Sequence, residues 1–305
     1  MVNFLARRVV YSALILFAVL LLVFIMVNEV GDPARLMLPP QAPLSQYIAL
    51  RHSLGLDRPF LQRLVETVSH WVRGDFGQSL WQGVPALPLA FGRIPATLYL
   101  TTIALVLAVP TALALGVRSA MSAGSISDFF VSSFSLFGVS IAPFWLGLML
   151  IVVVAVQFRL LPTSGYGGIQ YALLPASALA ARPLGRIAQV ARSSLVEELD
   201  KPYVLALEAK GVSQWSIVTR HALKNSGIPI VTVLGDELAT FVNGAVVIET
   251  IFAWPGIGQL FIQAIQHRDL PIIEACVFSV AVMTMIINLL VDLSYRYLDP
   301  RVEFS

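Results

Sequence analysis

Two carboxylates stand side by side, Asp236 and Glu237, inside an apolar run from Ile228 to Ile248. On a helix rising 1.5 Å per residue they lie roughly 13 Å from the start of that run, near the middle of a hydrocarbon layer about 30 Å thick. Ionisable groups at that depth are costly, and they face a cavity, a transport path or an opposite charge. Adjacent helix positions diverge by about 100°, so the two acids are expected to point apart. One could line a path together with Asn243 while the other pairs with Arg182 or Arg186, or with a group on a partner chain. The alternative is a purely structural ion pair, or a tilted helix that keeps both acids near water.

Other chemistry is excluded by what the chain lacks. There is no G-x-x-x-x-G-K-[ST] to cradle nucleotide phosphates and no H-E-x-x-H. His52, His70, His221 and His267 all fall outside the apolar runs, so neither a zinc site nor a serine–histidine pair can form at membrane depth. The glycines of Gly165-Tyr166-Gly167-Gly168 follow Pro162 without a flanking strand and read as an outer turn. No catalytic residue and no metal site is expected.

The elements that must position the acids are membrane helices. Of 305 residues, 57% are apolar and 12% charged, with a mean hydropathy of +0.79; soluble domains carry about 45–50% apolar and about 25% charged residues. A net charge of +2 offers no basic stripe for nucleic acid. The lone Cys276 lies in an apolar run, so no disulfide framework exists. Six spans are expected: Val9–Val27, Pro95–Val117, Phe129–Phe158, Tyr171–Ala191, Ile228–Ile248 and Ile273–Leu293. The fourth is interrupted by Pro175, Arg182, Pro183 and Arg186. No small-x-small cleavage site follows the first, which is therefore read as retained.

Orientation follows from the basic residues of short loops. Placing both termini in the cytoplasm puts Arg7, Arg8, Arg118, Arg192, Arg220, Arg296, Arg301 and all three lysines, Lys201, Lys210 and Lys224, inside. Residues 1–28 are then a tail and first span, 29–94 an extracytoplasmic segment that folds around Phe60–Trp71, 95–293 a five-span core, and 294–305 a cytoplasmic tail. The inner loop 193–227 is long for a connector, which suggests a function. It reads as helix, turn at Gly211, and second helix lying along the membrane; it is either a solvated connector or a docking surface for a cytosolic partner.

The stretch Tyr203-Val204-Leu205-Ala206-Leu207-Glu208-Ala209-Lys210-Gly211-Val212-Ser213, with Arg220-His221-Ala222-Leu223-Lys224-Asn225 and Pro229-Ile230-Val231-Thr232, resembles the EAA loop of ABC importer permeases, in the form usual for their peptide/nickel branch. Aligned on Gly211, the family's glutamate falls on Leu205, not Glu208. The resemblance runs along nearly the whole chain. It takes in Gly31-Asp32-Pro33, Leu54-Gly55-Leu56-Asp57-Arg58-Pro59, Gly74-Asp75-Phe76-Gly77-Gln78-Ser79, Arg93-Ile94-Pro95-Ala96-Thr97 and Pro143-Phe144-Trp145-Leu146. Leu161-Pro162-Thr163-Ser164-Gly165, the run from Glu249 through Trp254-Pro255-Gly256 to Gly258, and Leu298-Asp299-Pro300-Arg301 continue it.

That resemblance implies an all-α membrane protein of the type I importer permease fold, in a bacterial inner membrane, that is not an enzyme. It implies a second homologous permease, two cytosolic ATPases and an extracytoplasmic solute-binding protein as partners, with ATP and Mg held only by the ATPases. Leu205 to Ser213 would form the coupling helix that touches the ATPase. Trp254, Pro255 and Gly256 would lie near where the binding protein docks, with Leu54–Leu80 as the other candidate surface. In isolation the tryptophan turn reads as an interfacial aromatic anchor. Peptides are the favoured cargo; nickel or a metal chelate, glutathione and opines are alternatives. The acidic pair departs from the family's common pattern and suggests a preference for cations. A stand-alone secondary carrier using its membrane carboxylates is the competing class.

Overall fold

The computed structural model describes residues 2–30, 38, 41–53, 55 and 57–298. Gly31-Asp32-Pro33, Leu54, Leu56 and the tail from Asp299 onward lie outside the described residues, as does the side chain of Asn243. All regular elements among them are helical. They are α1 (Val2–Val30), α2 (Leu44–Ser53), α3 (Phe60–Val72), α4 (Ala86–Met121), α5 (Ile126–Ser140) and α6 (Pro143–Leu150), the last continuing as a π-helix over Ile151–Gln157. After them come α7 (Ile169–Leu199), α8 (Pro202–Ala209), α9 (214–225, with a π turn at Ile217–Ala222), α10 (Gly227–Ile251), α11 (Ile257–His267) and α12 (Leu270–Leu298). The chain packs as two compact units, Met1–Pro95 with Gly256–Met285, and Ala96–Pro255 with Ile286–Ser305.

In the first unit the amphipathic α3 lays its apolar side on α1. Phe24 meets Trp71 edge-on at 6.3 Å and Phe60 at 5.7 Å, and Ile257, Leu260, Ile272 and Cys276 complete the core. Polar staples fix the segment from Trp71 to Trp81 to α11, α12 and the turn between them. The fully buried Asp269 accepts from Ser79 Oγ (2.6 Å) and the Trp81 amide (2.9 Å), Trp71 Nε1 donates to Glu274 (3.1 Å), and the Trp81 ring stacks on His267 at 4.0 Å.

The second unit is organised around α7, against which α5, α6 and α10 pack. Small residues make this possible: Ala176, Ala180, Gly185, Ala188 and Ala191 are buried along it. Where neighbouring backbones come closest, side chains are absent. A Cβ on Gly185 would sit 2.2 Å from the Ser135 carbonyl oxygen, and one on Gly138 would sit 2.8 Å from that of Ala181. Close approach through small residues is how helices associate where lipid removes the hydrophobic drive.

Two expectations about spans are corrected. The prolines do not interrupt α7, which runs unbroken through Pro175 and Pro183, both buried; a membrane helix tolerates proline where its neighbours cover the freed carbonyls. The stretch Phe129–Phe158 is not one rod. It breaks at Ile141–Ala142, and its halves are bent by 105°. Pro143 starts the second half at its first helical position, and it holds Ala142 extended (φ −70°, ψ 128°), as the residue before proline requires. Among the described residues, Ala86–Met121 and Leu270–Val291 are long and apolar enough to cross a membrane, the bent pair would make a third, and the apolar stretch of α1, Val10–Ile25, is shorter.

The crowding at Gly185 sets a direct test. Gly185→Ala should destabilise the protein by about 1–3 kcal/mol through overpacking, read as a lowered Tm in detergent. Gly92→Ala, on a helix with nothing within 4 Å of the new methyl, should be neutral or slightly stabilising.

Candidate functional site

The loop between α7 and α10 begins where α7 stops at Leu199. Lys201 is extended (φ −76°, ψ 147°), and Pro202 opens α8 at a position whose N–H is not needed. α8 ends in a Schellman turn. Gly211 adopts φ +79° and its N–H donates to the Glu208 carbonyl (2.8 Å), while the Val212 N–H donates to that of Leu207 (3.1 Å). Ser213 then caps α9, its hydroxyl accepting from the Ser216 amide. The expected helix, glycine turn and second helix are all present.

Only Val204 of α8 is buried. Leu205 is 70% exposed, and Ala206, Glu208, Ala209, Lys210, Gly211 and Ser213 are exposed too, with Leu207 and Val212 half-buried. Trp215, which sequence reasoning passed over, is 62% exposed one turn beyond the glycine. Two large apolar side chains thus stand out on a lysine-bearing loop.

The loop is held by a node that the sequence did not reveal. The buried carboxylate of Glu198 accepts from Lys201 Nζ (2.5 Å), Tyr203 Oη (2.9 Å) and Asn225 Nδ2 (2.9 Å), so it ties the end of α7 to the start of α8 and the end of α9. Ser226 Oγ adds a bond to the Ser194 carbonyl (3.2 Å). Ile217, Val218 and Ala222 of α9 are fully buried, the last two packing with Val117, Ala120 and Leu195. Burial disfavours the Glu198 charge, but the three donors outweigh it and hold the carboxyl below its ordinary range. One step away, Arg192 grips the buried Asp128 through two bonds of 2.6 Å, which fixes the α4–α5 turn to α7.

The acidic pair is satisfied by a single arginine. Arg186 Nη1 donates to Asp236 (2.6 Å) and to Glu237 (2.9 Å). The two acids do diverge: the Glu237 side chain is 2% exposed and that of Asp236 58%. Yet the expectation that only one of them meets an arginine is corrected, because the long arginine arm bridges both directions.

The tryptophan turn is also corrected. Trp254 is fully buried and is not an interfacial anchor; its Nε1–H donates to the Ala96 carbonyl (2.9 Å), while Tyr99 stacks on it at 6.0 Å and Tyr166 meets it edge-on at 4.9 Å. Gly256 is buried and Pro255 half-buried, so Trp254 and Gly256 present no docking surface in this conformation. Nearby, the buried Glu249 accepts from Thr97 Oγ1 (2.5 Å). Among the described residues no three His, Cys, Asp or Glu side chains converge as a metal site would require.

The described helices pack around a small-residue strut with charge buried between them, and up to three of them, counting the bent pair as one, are long and apolar enough to cross a membrane. The chain belongs to the family of binding-protein-dependent transport system inner membrane components, whose model matches residues 108–304, with the corresponding N-terminal model over residues 1–101. It is therefore the permease of an ABC importer of the inner membrane, not an enzyme, and the stand-alone carrier is set aside. It is 35% identical to the probable peptide ABC transporter permease protein y4tP of Sinorhizobium fredii, over 99% of both chains. It is 34% identical to the glutathione transport system permease protein GsiC of Escherichia coli over 100% of both, and 33% identical to the oligopeptide transport system permease protein AppB of Bacillus subtilis, also over 100% of both. Among solved structures, a chain of the MetNI methionine ABC transporter shares the fold, with a TM-score of 0.55 and 20% identity over 69% of this chain and 96% of that one.

The Glu198 node predicts a local opening. Glu198→Ala removes the charged acceptor that Lys201, Tyr203 and Asn225 share, a loss of about 1–3 kcal/mol. Hydrogen exchange across residues 202–213 should therefore quicken about tenfold, with the core of α7 unchanged. Because the carboxyl is depressed in the folded state, its contribution is present above the ordinary carboxylate value and is lost as pH falls through the lower, folded-state value. Measured relative to the intrinsic exchange rate at each pH, protection in this loop should fall on acidification in the wild type and change less in the variant.

Proposed function

We propose that the chain forms half of a heterodimeric pore importing di- or oligopeptides, with a second permease, two ATPases and a solute-binding protein. Peptide cargo is supported by full-length identity to a probable peptide permease and an oligopeptide permease. Glutathione, the cargo named for a third relative, is itself a short peptide with free ammonium and carboxylate groups, and it stands as the second reading. ATP and Mg belong to the partner chains.

In this reading α1, α4, the bent pair α5–α6, α7, α10 and α12 are the six spans. Both termini and the loop 193–227 are cytoplasmic, and residues 29–94 are outside. The single observation that carries the mechanism is the loop's construction: a short helix with an exposed face, ended by a Schellman glycine and stapled to α7 by Glu198. A helix held this rigidly passes the closing motion of an ATPase dimer into α7 and α10 as a rigid body. Affinity for cargo must differ between the two end states for ATP to drive transport. Leu205 to Ser213, with Trp215 added, form the ATPase contact. Asp236 and Asn243, seven residues apart on one face of α10, are assigned to the pathway side, and Glu237, sealed in the packing, stands behind them.

Gly211 supplies the test. Its φ of +79° is strained for a β-branched residue and tolerated by asparagine. Gly211→Val should leave the importer assembled with its ATPases and hydrolysing ATP while lowering peptide uptake at least tenfold, and Gly211→Asn should retain most uptake. Normal uptake by Gly211→Val removes the coupling role. Affinity purification from native membranes that yields this chain without an ATPase removes the importer assembly as a whole.

A further inference from the structure

The side of α7 that meets α10 carries more charge than a lipid-facing surface sustains. Arg182 and Arg186 are four residues apart and share one face of the helix. Arg186 is occupied by Asp236 and Glu237. Arg182 is exposed and has no ion pair or hydrogen bond among the described residues. Asp236 keeps most of its side chain open although it is paired, whereas Glu237 is sealed in. Exposed ionic groups at membrane depth face water, so this face lines an aqueous path.

The two arginines and two acids sum to zero charge but are not evenly arranged. Arg186 is shared between Glu237, which is sealed in, and Asp236, which keeps an open side, so the surplus positive charge lies at Arg182 and the surplus negative charge at the open edge of Asp236. The helical rise from Arg182 to Arg186, which Asp236 touches, is about 6 Å, close to the roughly 7 Å between the termini of an extended dipeptide. A guanidinium also offers the fork geometry that a carboxylate accepts.

We propose that Arg182 and Asp236 form a subsite in the translocation path for zwitterions, Arg182 receiving a carboxylate terminus and Asp236 an ammonium terminus. This replaces simple selection for cations, because the exposed Arg182 offsets the exposed side of Asp236. The inference rests on the pore reading given above, with α7 and α10 as spans.

The test uses the intact importer in native membranes. Cys276, the chain's one native cysteine, is fully buried, so the background of thiol labelling is low. A small charged methanethiosulfonate should label Arg182→Cys and Asp236→Cys. Alanyl-alanine should slow both reactions at least threefold, while its N-acetylated, C-amidated analogue should not. Absence of labelling at both positions overturns the subsite by showing that a partner helix or lipid covers this face. Labelling that neither peptide slows, or that both slow equally, overturns its zwitterion character. Should a cysteine variant fail to assemble, Arg182→Gln and Asp236→Asn are read by uptake: each should raise the apparent KM for alanyl-alanine at least fivefold, and an unchanged KM in both overturns the subsite. Wild-type membranes that take up no dipeptide refute the peptide reading and the subsite with it; normal dipeptide uptake without labelling refutes the subsite alone.

Discussion

Everything in the larger unit depends on how near other helices can come to α7. At Gly185 and Gly138 a neighbour's carbonyl oxygen occupies the space where a Cβ would stand, and the alanines between them let side chains from α5 and α10 lie against the α7 backbone. In a membrane the hydrophobic effect gives helices no reason to prefer each other over lipid. Close packing supplies the attraction, and close packing needs small residues. α7 therefore trades bulky apolar side chains for contact.

That trade explains how one helix can hold so much charge. Arg186, Arg192 and Glu198 follow one another down α7, and each is matched by an acid or by donors from a different element: α10 for the first, the start of α5 for the second, α8 and α9 for the third. Each match costs desolvation, and its value lies in geometry more than in net stability. Together they lock the α4–α5 turn, the loop after α7 and α10 to a single strut.

The sequence disclosed the parts governed by local rules. Apolar runs located the helices, Gly211 located the turn because left-handed backbone favours glycine, and the order of motifs along the chain pointed to the family. It misjudged what depends on surroundings. Pro175 and Pro183 look like breaks until neighbours are known to cover the carbonyls they expose. Trp254 looks like a membrane-surface anchor until Tyr99, Tyr166 and the Ala96 carbonyl enclose it. Glu198 drew no attention because its three donors come from positions between 3 and 27 residues away, with no repeating spacing to betray them. Arg186 was one of several candidate partners for the acids, and only the fold reveals that its reach covers both.

The π-helical turns bear on how such a loop can change. In an α-helix each residue advances by about 100°, whereas a π turn accommodates one extra residue in the same stretch. The turn at Ile217–Ala222 lies between the exposed Trp215 and the anchor at Asn225. Removing one residue there would convert it to ordinary α-helix and swing everything ahead of it, Trp215 included, by about a quarter of a revolution. The angle at which this loop meets its surroundings is thus written in chain length as well as in residue identity, and it can be retuned without altering any side chain that makes contact.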